Sequence, residues 1–160
     1  MKQVAASPPR IRQATLGDAP ELARLRWSFR DELGMAEEPF EAFRERFTRF
    51  LTDALAGGSW AAFVADAGDR LVGTAYVQIV RKVPVPNEVE RHAFGYVTNA
   101  FVEPEARNGG LGARLLDAAM GWAREREPDA LVLWPSQGSV RFWKRAGFAP
   151  PADLLELRLD

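Results

Sequence analysis

The stretch Arg107-Asn108-Gly109-Gly110-Leu111-Gly112 follows the apolar run Gly95-Tyr96-Val97-Thr98-Asn99-Ala100-Phe101-Val102 and leads into a helical pattern. Leu111, Leu115, Leu116, Ala119, Met120 and Ala123 recur at helical spacing, and Pro128 ends the run. A helix start leaves backbone N–H groups without partners and carries partial positive charge. Glycines let that backbone approach an anion because no Cβ intervenes. Strand, glycine loop and helix together therefore make an anion site, and Arg107 adds a planar fork suited to phosphate oxygens. A triphosphate loop needs Lys-Ser or Lys-Thr after the last glycine, whereas Ala113-Arg114 follows here. The dinucleotide fingerprint fails as well, because Leu115 stands where its third glycine belongs. Taken alone, the loop leaves open a plain glycine turn beside a solvated arginine.

Working outward, Ile11 to Ala14 reads as a short strand, and Asp18 with Glu21 as a capping box opening a helix that Gly34 ends. Pro39 starts a second helix with Phe40, Phe43, Phe47, Phe50, Leu51 and Leu55 on one stripe, stopped by Gly57-Gly58. Trp60–Asp66 and Leu71–Val80 form a hairpin about Ala67-Gly68-Asp69-Arg70, and Arg81 to Arg91, with Pro84 and Pro86, reads as a loop. Phe94 to Val102 is the next strand. Leu131–Trp134 is a short buried strand, and Ser139–Ala146 a brief helix closed by Gly147. Leu155, Leu157 and Leu159 alternate with Glu156 and Arg158, as in a half-buried closing strand. This order predicts a mixed α/β domain with an antiparallel meander followed by a crossover.

The 160 residues fit one domain, with residues 1–10 as a loose lead-in. With 47% hydrophobic and 27% charged residues the chain is not a disordered one, and a net charge of −1 gives no basic field for nucleic acid. Cysteine is absent and His92 is the only histidine, which excludes thiolate sites and histidine-rich metal centres. No window approaches the roughly 20 apolar residues of a membrane helix, and Met1–Arg10 lacks the apolar core of a secretory signal, so a cytoplasmic protein is expected.

The pattern Val102-x-Pro104-x-x-Arg107-x-x-Gly110-x-Gly112 resembles the R-x-x-G-x-G acetyl-coenzyme A motif of the GNAT-type N-acetyltransferase superfamily. Leu131-Val132-Leu133-Trp134, then Ser139 to Gly147-Phe148, is similar to that family's strand–helix–Gly-Phe signature, and Ile11-Arg12-x-Ala14 with Asp18 to its opening. The resemblance covers the chain from Ile11 on. It implies a GNAT-like, mostly antiparallel sheet flanked by helices, with a splayed parallel pair at the coenzyme A site.

The resemblance also implies residue roles. Backbone groups of Phe101 and Val102 would pair with the pantetheine arm. Arg107 and the loop Asn108, Gly109, Gly110, Gly112 and Ala113 would take the pyrophosphate, and the Val102 N–H would face the thioester oxygen. A primary amine of a small molecule or peptide would attack directly, with Glu103, Glu32, Glu38 or Asp153 as candidate bases. Where the family usually has a proton-donating tyrosine this chain has Trp143, and Ser136 stands where asparagine is common. Both are placed among the coenzyme A-binding residues, Trp143 lining the acyl site, and an indole N–H cannot release a proton. The alternative is therefore a coenzyme A-binding sensor or partner subunit with weakened catalysis. His92 is placed near the acceptor's entrance, no metal, nucleic acid or membrane is called for, and a homodimer is left open.

Overall fold

Successive residues of a strand face opposite sides, so a strand apolar at every position must be covered on both. Strand β2 (Trp60–Asp66) meets that condition: Ala61, Phe63 and Ala65 belong to one core, Ala62 and Val64 to another. In the computed structural model, which describes residues 7–86 and 92–159, these two cores lie on opposite faces of a five-stranded sheet.

The strands are β1 (Arg10–Gln13), β2, β3 (Leu71–Arg81), β4 (Ala93–Val102) and β5 (Leu131–Val132), neighbours in that order. All pairs are antiparallel except β4–β5, which is parallel. Helices α1 (Ala19–Glu32) and α2 (Phe40–Ala56) cover one face through Leu22, Leu25, Phe47 and Leu51. Helix α3 (Leu111–Arg124) covers the other through Leu115, Leu116, Ala119 and Ala123, with Trp143 of the short α4 (Val140–Arg145) beside it. Gly73 on β3 permits this contact, since a Cβ there would lie 3.0 Å from Leu115 Cδ1 and 3.1 Å from the Phe101 carbonyl oxygen. The expected mixed α/β sheet with a parallel pair is therefore the one observed. No helix among the described residues is long and apolar enough to cross a membrane.

Four sequence expectations change. The capping box opens one turn earlier: Asp18 accepts the Thr15 N–H at 2.8 Å, while Glu21 accepts Arg24 and the Leu71 N–H. Phe50 stays exposed although it was placed in the apolar stripe, because the helix presents Phe47 and Leu51 to the sheet instead. The strand expected over Leu131–Trp134 covers two residues, and Trp134 is 63% exposed as the chain turns away at Pro135. The closing strand does not form: Leu155, Leu157 and Leu159 alternate as a strand should but pair with no neighbour and stay exposed. Residues 87–91 of the expected proline loop lie outside the described residues.

Leu25 is fully buried in the α1 core, so Leu25→Ala should cost about 2–5 kcal/mol in urea unfolding. Arginine partners hold Asp18, Glu21 and Asp66 below the usual carboxylate range, chiefly through hydrogen bonds from Arg12, Arg24 and Arg12 respectively. A depressed folded-state value stabilises above the unfolded one and is lost as pH falls through it. The melting temperature should therefore drop below about pH 4, the unfolded carboxylate range.

Candidate active site

Strands β4 and β5 pair only at Gly95–Leu131 and Tyr96–Val132, with the Gly95 N–H on the Ala130 carbonyl at 2.8 Å. Beyond Tyr96, β4 continues along β3 while β5 ends, which opens a gap beside residues 97–102. The Tyr96 and Trp134 rings meet edge-to-face at 5.3 Å where the strands part.

Which amides face this gap depends on the alternation of an antiparallel ladder, where every second residue turns its N–H and C=O outward. Gly95 faces β5, so a regular strand would turn odd-numbered residues toward the gap. Instead the register slips: Tyr76 pairs with Thr98 but Thr74 with Phe101, leaving an extra residue in β4 at a β-bulge. Asn99 takes the left-handed conformation there (φ 51°). Past the bulge the phase is inverted. The Glu103 N–H donates to the Val72 carbonyl at 2.9 Å, so Val102 turns its N–H into the gap. Phe101 correspondingly pairs with Thr74 of β3. Its ring stacks on Phe29 of α1 at 5.2 Å.

The loop after β4 starts α3 against this same strand end. Asn108 and Gly110 both have positive φ (64° and 79°), and Arg114 N–H to Gly110 C=O is the first intrahelical bond. No side chain caps α3, so the Leu111, Gly112 and Ala113 N–H groups stay unpaired within the helix. A Cβ at Gly109 or Gly110 would meet nothing within 4 Å, which leaves this backbone open to an anion. Gly112 differs. A Cβ there would sit 3.4 Å from the Phe142 ring and 4.0 Å from Val102 Cγ2, so its smallness packs α4 and β4 against α3.

The charged side chains are less free than the sequence implied. Arg107 gives its Nε to the Val102 carbonyl (2.8 Å) and both terminal nitrogens to Glu32 (2.9 and 2.7 Å). This fork closes α1 onto the end of β4 and depresses the Glu32 carboxyl pKa. Glu103 is buried between Arg24 (2.5 Å) and Arg70 (3.0 Å), and Glu38 is paired with Arg46. Of the four candidate bases, only Asp153, in the exposed C-terminal segment, has no such partner among the described residues. Trp143 is buried against Phe142 and Phe148, its indole N–H on Ser139 Oγ at 3.1 Å. Ser136 donates to the same oxygen, so neither residue is turned toward the gap by its hydrogen bonds. His92 precedes β4 at the end opposite Val102, roughly 30 Å away for ten residues of strand.

Two residues that sequence reasoning passed over meet at the bulge beside this strand end. Arg26 of α1 donates to Asn99 Oδ1 at 2.9 Å across the bulge. Asn99 carried a signal, being a poor strand former inside an apolar strand. Arg26 carried none.

Against this geometry the comparisons agree. The sequence matches the acetyltransferase (GNAT) family over residues 20–148, and the chain belongs to that family. It is 34% identical over 121 residues to an aminoglycoside N(6')-acetyltransferase type 1 from Stenotrophomonas maltophilia, covering 75% of this chain and 71% of that one. A predicted acetyltransferase from Clostridium acetobutylicum, solved with acetyl-CoA, superposes with a TM-score of 0.75 at 25% identity, covering 93% of this chain and 95% of that one. A glucosamine-6-phosphate N-acetyltransferase from Arabidopsis thaliana shares the fold at 16% identity and TM-score 0.70, over 94% and 98% of the two chains.

Gly110 holds a left-handed conformation, so Gly110→Ala should cost about 1–2 kcal/mol of stability by chemical denaturation. Gly109→Ala, free of positive φ and of contacts, should leave stability unchanged.

Proposed function

We propose that the protein transfers the acetyl group of acetyl-CoA directly to a primary amine of a small molecule or peptide. What supports this most is one juxtaposition: the outward N–H of Val102 and the uncapped amides of α3 border the same gap. The N–H groups from Gly109 to Ala113 suit a pyrophosphate, and a gap flanked by one strand's free edge suits the amide-bearing pantetheine arm. A donor held in place before reaction stabilises the charge that develops on the thioester oxygen, an effect worth about 3–4 kcal/mol. The amine nitrogen bonds to the carbonyl carbon and the carbon–sulfur bond breaks. The proton lost by the nitrogen leaves to solvent, and the thiolate departs without an enzyme acid, since Trp143 spends its N–H on Ser139. An alkyl thiol, with a pKa near about 8.5, tolerates this. The name of the Stenotrophomonas relative puts amino sugars among the acceptors to be assayed.

Gly109→Asp tests the cradle. A carboxylate set against the pyrophosphate should weaken acetyl-CoA binding by at least about tenfold in calorimetry while the melting temperature holds. Unchanged affinity removes the phosphate assignment. With Glu32, Glu38 and Glu103 all held by arginines, the rate should follow the acceptor's own deprotonation. Expected is a kcat/KM that climbs about tenfold per pH unit below the amine's pKa, with no inflection near pH 6–7. Glu103→Gln should lower stability yet keep that profile, and a profile that flattens in wild type but not in the variant would return Glu103 to the role of base.

A further inference from the structure

Between α1 and the segment joining it to α2 lies a cleft of about 210 Å³, lined by Arg26, Trp27, Arg30, Glu37, Phe43 and the Glu38–Arg46 pair among others. Arg26 of its α1 wall donates to Asn99 of β4, which stands three residues before Val102, roughly 10 Å along a strand. Its charge is unusual within this chain. Arg12, Arg24, Arg46, Arg70, Arg107 and Arg158 each lie on a carboxylate, which strengthens their hold on the proton. Arg26 shows the opposite direction, pushed down first by burial and then by the like charge of Arg30 one helical turn on.

A half-buried guanidinium has five N–H donors to satisfy and a desolvation cost that only an anion repays well. Arg26 has a single hydrogen bond, from Nη1 to the neutral amide of Asn99, and its charge lies 5.7 Å over the Phe29 ring. Trp27, which also lines the cleft, has its indole N–H buried without a hydrogen-bond partner. Arg30 makes no ion pair among the described residues. Glu38 is neutralised by Arg46, so the exposed Glu37 is the one carboxylate set against the two arginines, and the cleft is left net positive.

We infer that this cleft selects acceptors carrying an oxyanion, a carboxylate or phosphate, alongside the amine, with Arg26 as the specificity-determining residue and Arg30 assisting. The inference rests on the transferase reading above and narrows its acceptor class: polycationic amines, aminoglycosides among them, are disfavoured by the same charge. The size of the cleft suits a small headgroup.

The test compares matched acceptors at fixed acetyl-CoA: β-alanine against its amide, phosphoethanolamine against ethanolamine, and spermidine as the polycation. Expected is a kcat/KM for the anionic member at least about tenfold above its neutral partner, carried mainly by KM, since each tenfold is only about 1.4 kcal/mol of differential binding. The β-alanine and phosphoethanolamine arms separate carboxylate from phosphate. Arg26→Met should collapse the anionic-to-neutral ratio toward unity, Arg26→Lys should keep part of it, and Arg30→Gln should reduce it by a smaller factor. A wild type that prefers neutral or polycationic amines, or a ratio that survives Arg26→Met, overturns the inference. If no amine is turned over, the transferase reading fails separately. Calorimetry of the two anions on the wild-type protein then decides: saturable binding lost in Arg26→Met supports the oxyanion site, and absence of binding overturns it.

Discussion

The carboxylate of Glu103, buried between Arg24 and Arg70, fixes the point at which β4 hands over to the loop. Arg24 is itself held by Glu21 and by the Leu71 carbonyl, so one charge cluster ties the first turns of α1 to the start of β3 and the end of β4. A buried charge that loses a partner is costly, on the order of 3–5 kcal/mol, whereas the intact cluster contributes rather little to net stability. Its work is positional. With β4 ended there, Val102 is the last strand residue, Pro104–Ala106 turns the chain, and α3 begins with its amides against the same strand end.

The same economy of charge shapes the chemistry. Three of the four carboxylates that sequence offered as bases are taken by arginines, each pair closing one element on another: Glu32 on Arg107, Glu38 on Arg46, Glu103 on Arg24 and Arg70. In the proposed transfer, what is left to act on a thioester is backbone, namely one outward amide and a helix start. Such groups do not titrate, so on that proposal the site supplies electrostatic positioning while the acceptor supplies its own nucleophile in the right protonation state.

Much of this was legible in the sequence because it depends on local periodicity. Helix α3, the hairpin of β2 and β3 and the Gly147 cap follow from spacing and turn chemistry, and Gly147 does adopt the left-handed conformation (φ 96°). The closing strand was not so determined. The alternation of Leu155, Leu157 and Leu159 states a preference, but a strand also needs an edge to pair with, and β5 offers two residues. The hydrogen-bond partners of Arg107 and Trp143 were hidden for a related reason. A residue type says which bonds a side chain can make, and only the fold says which partner arrives first; Glu32 and Ser139 did. The bulge lay between these cases: Asn99 marked its place, yet the phase of the ladder follows from pairing with β3.

That bulge makes the site a matter of counting. Asn99 and Ala100 together fill one step of the ladder opposite Ala75, so a chain one residue shorter here would still present the Val102 amide to the gap. It would lose the left-handed turn that brings an amide side chain to Arg26. The outward amide and the contact to Arg26, three residues apart on one strand, are thus written in different ways. The first depends on the parity of the ladder, and the second on a single inserted residue that can come or go without disturbing it.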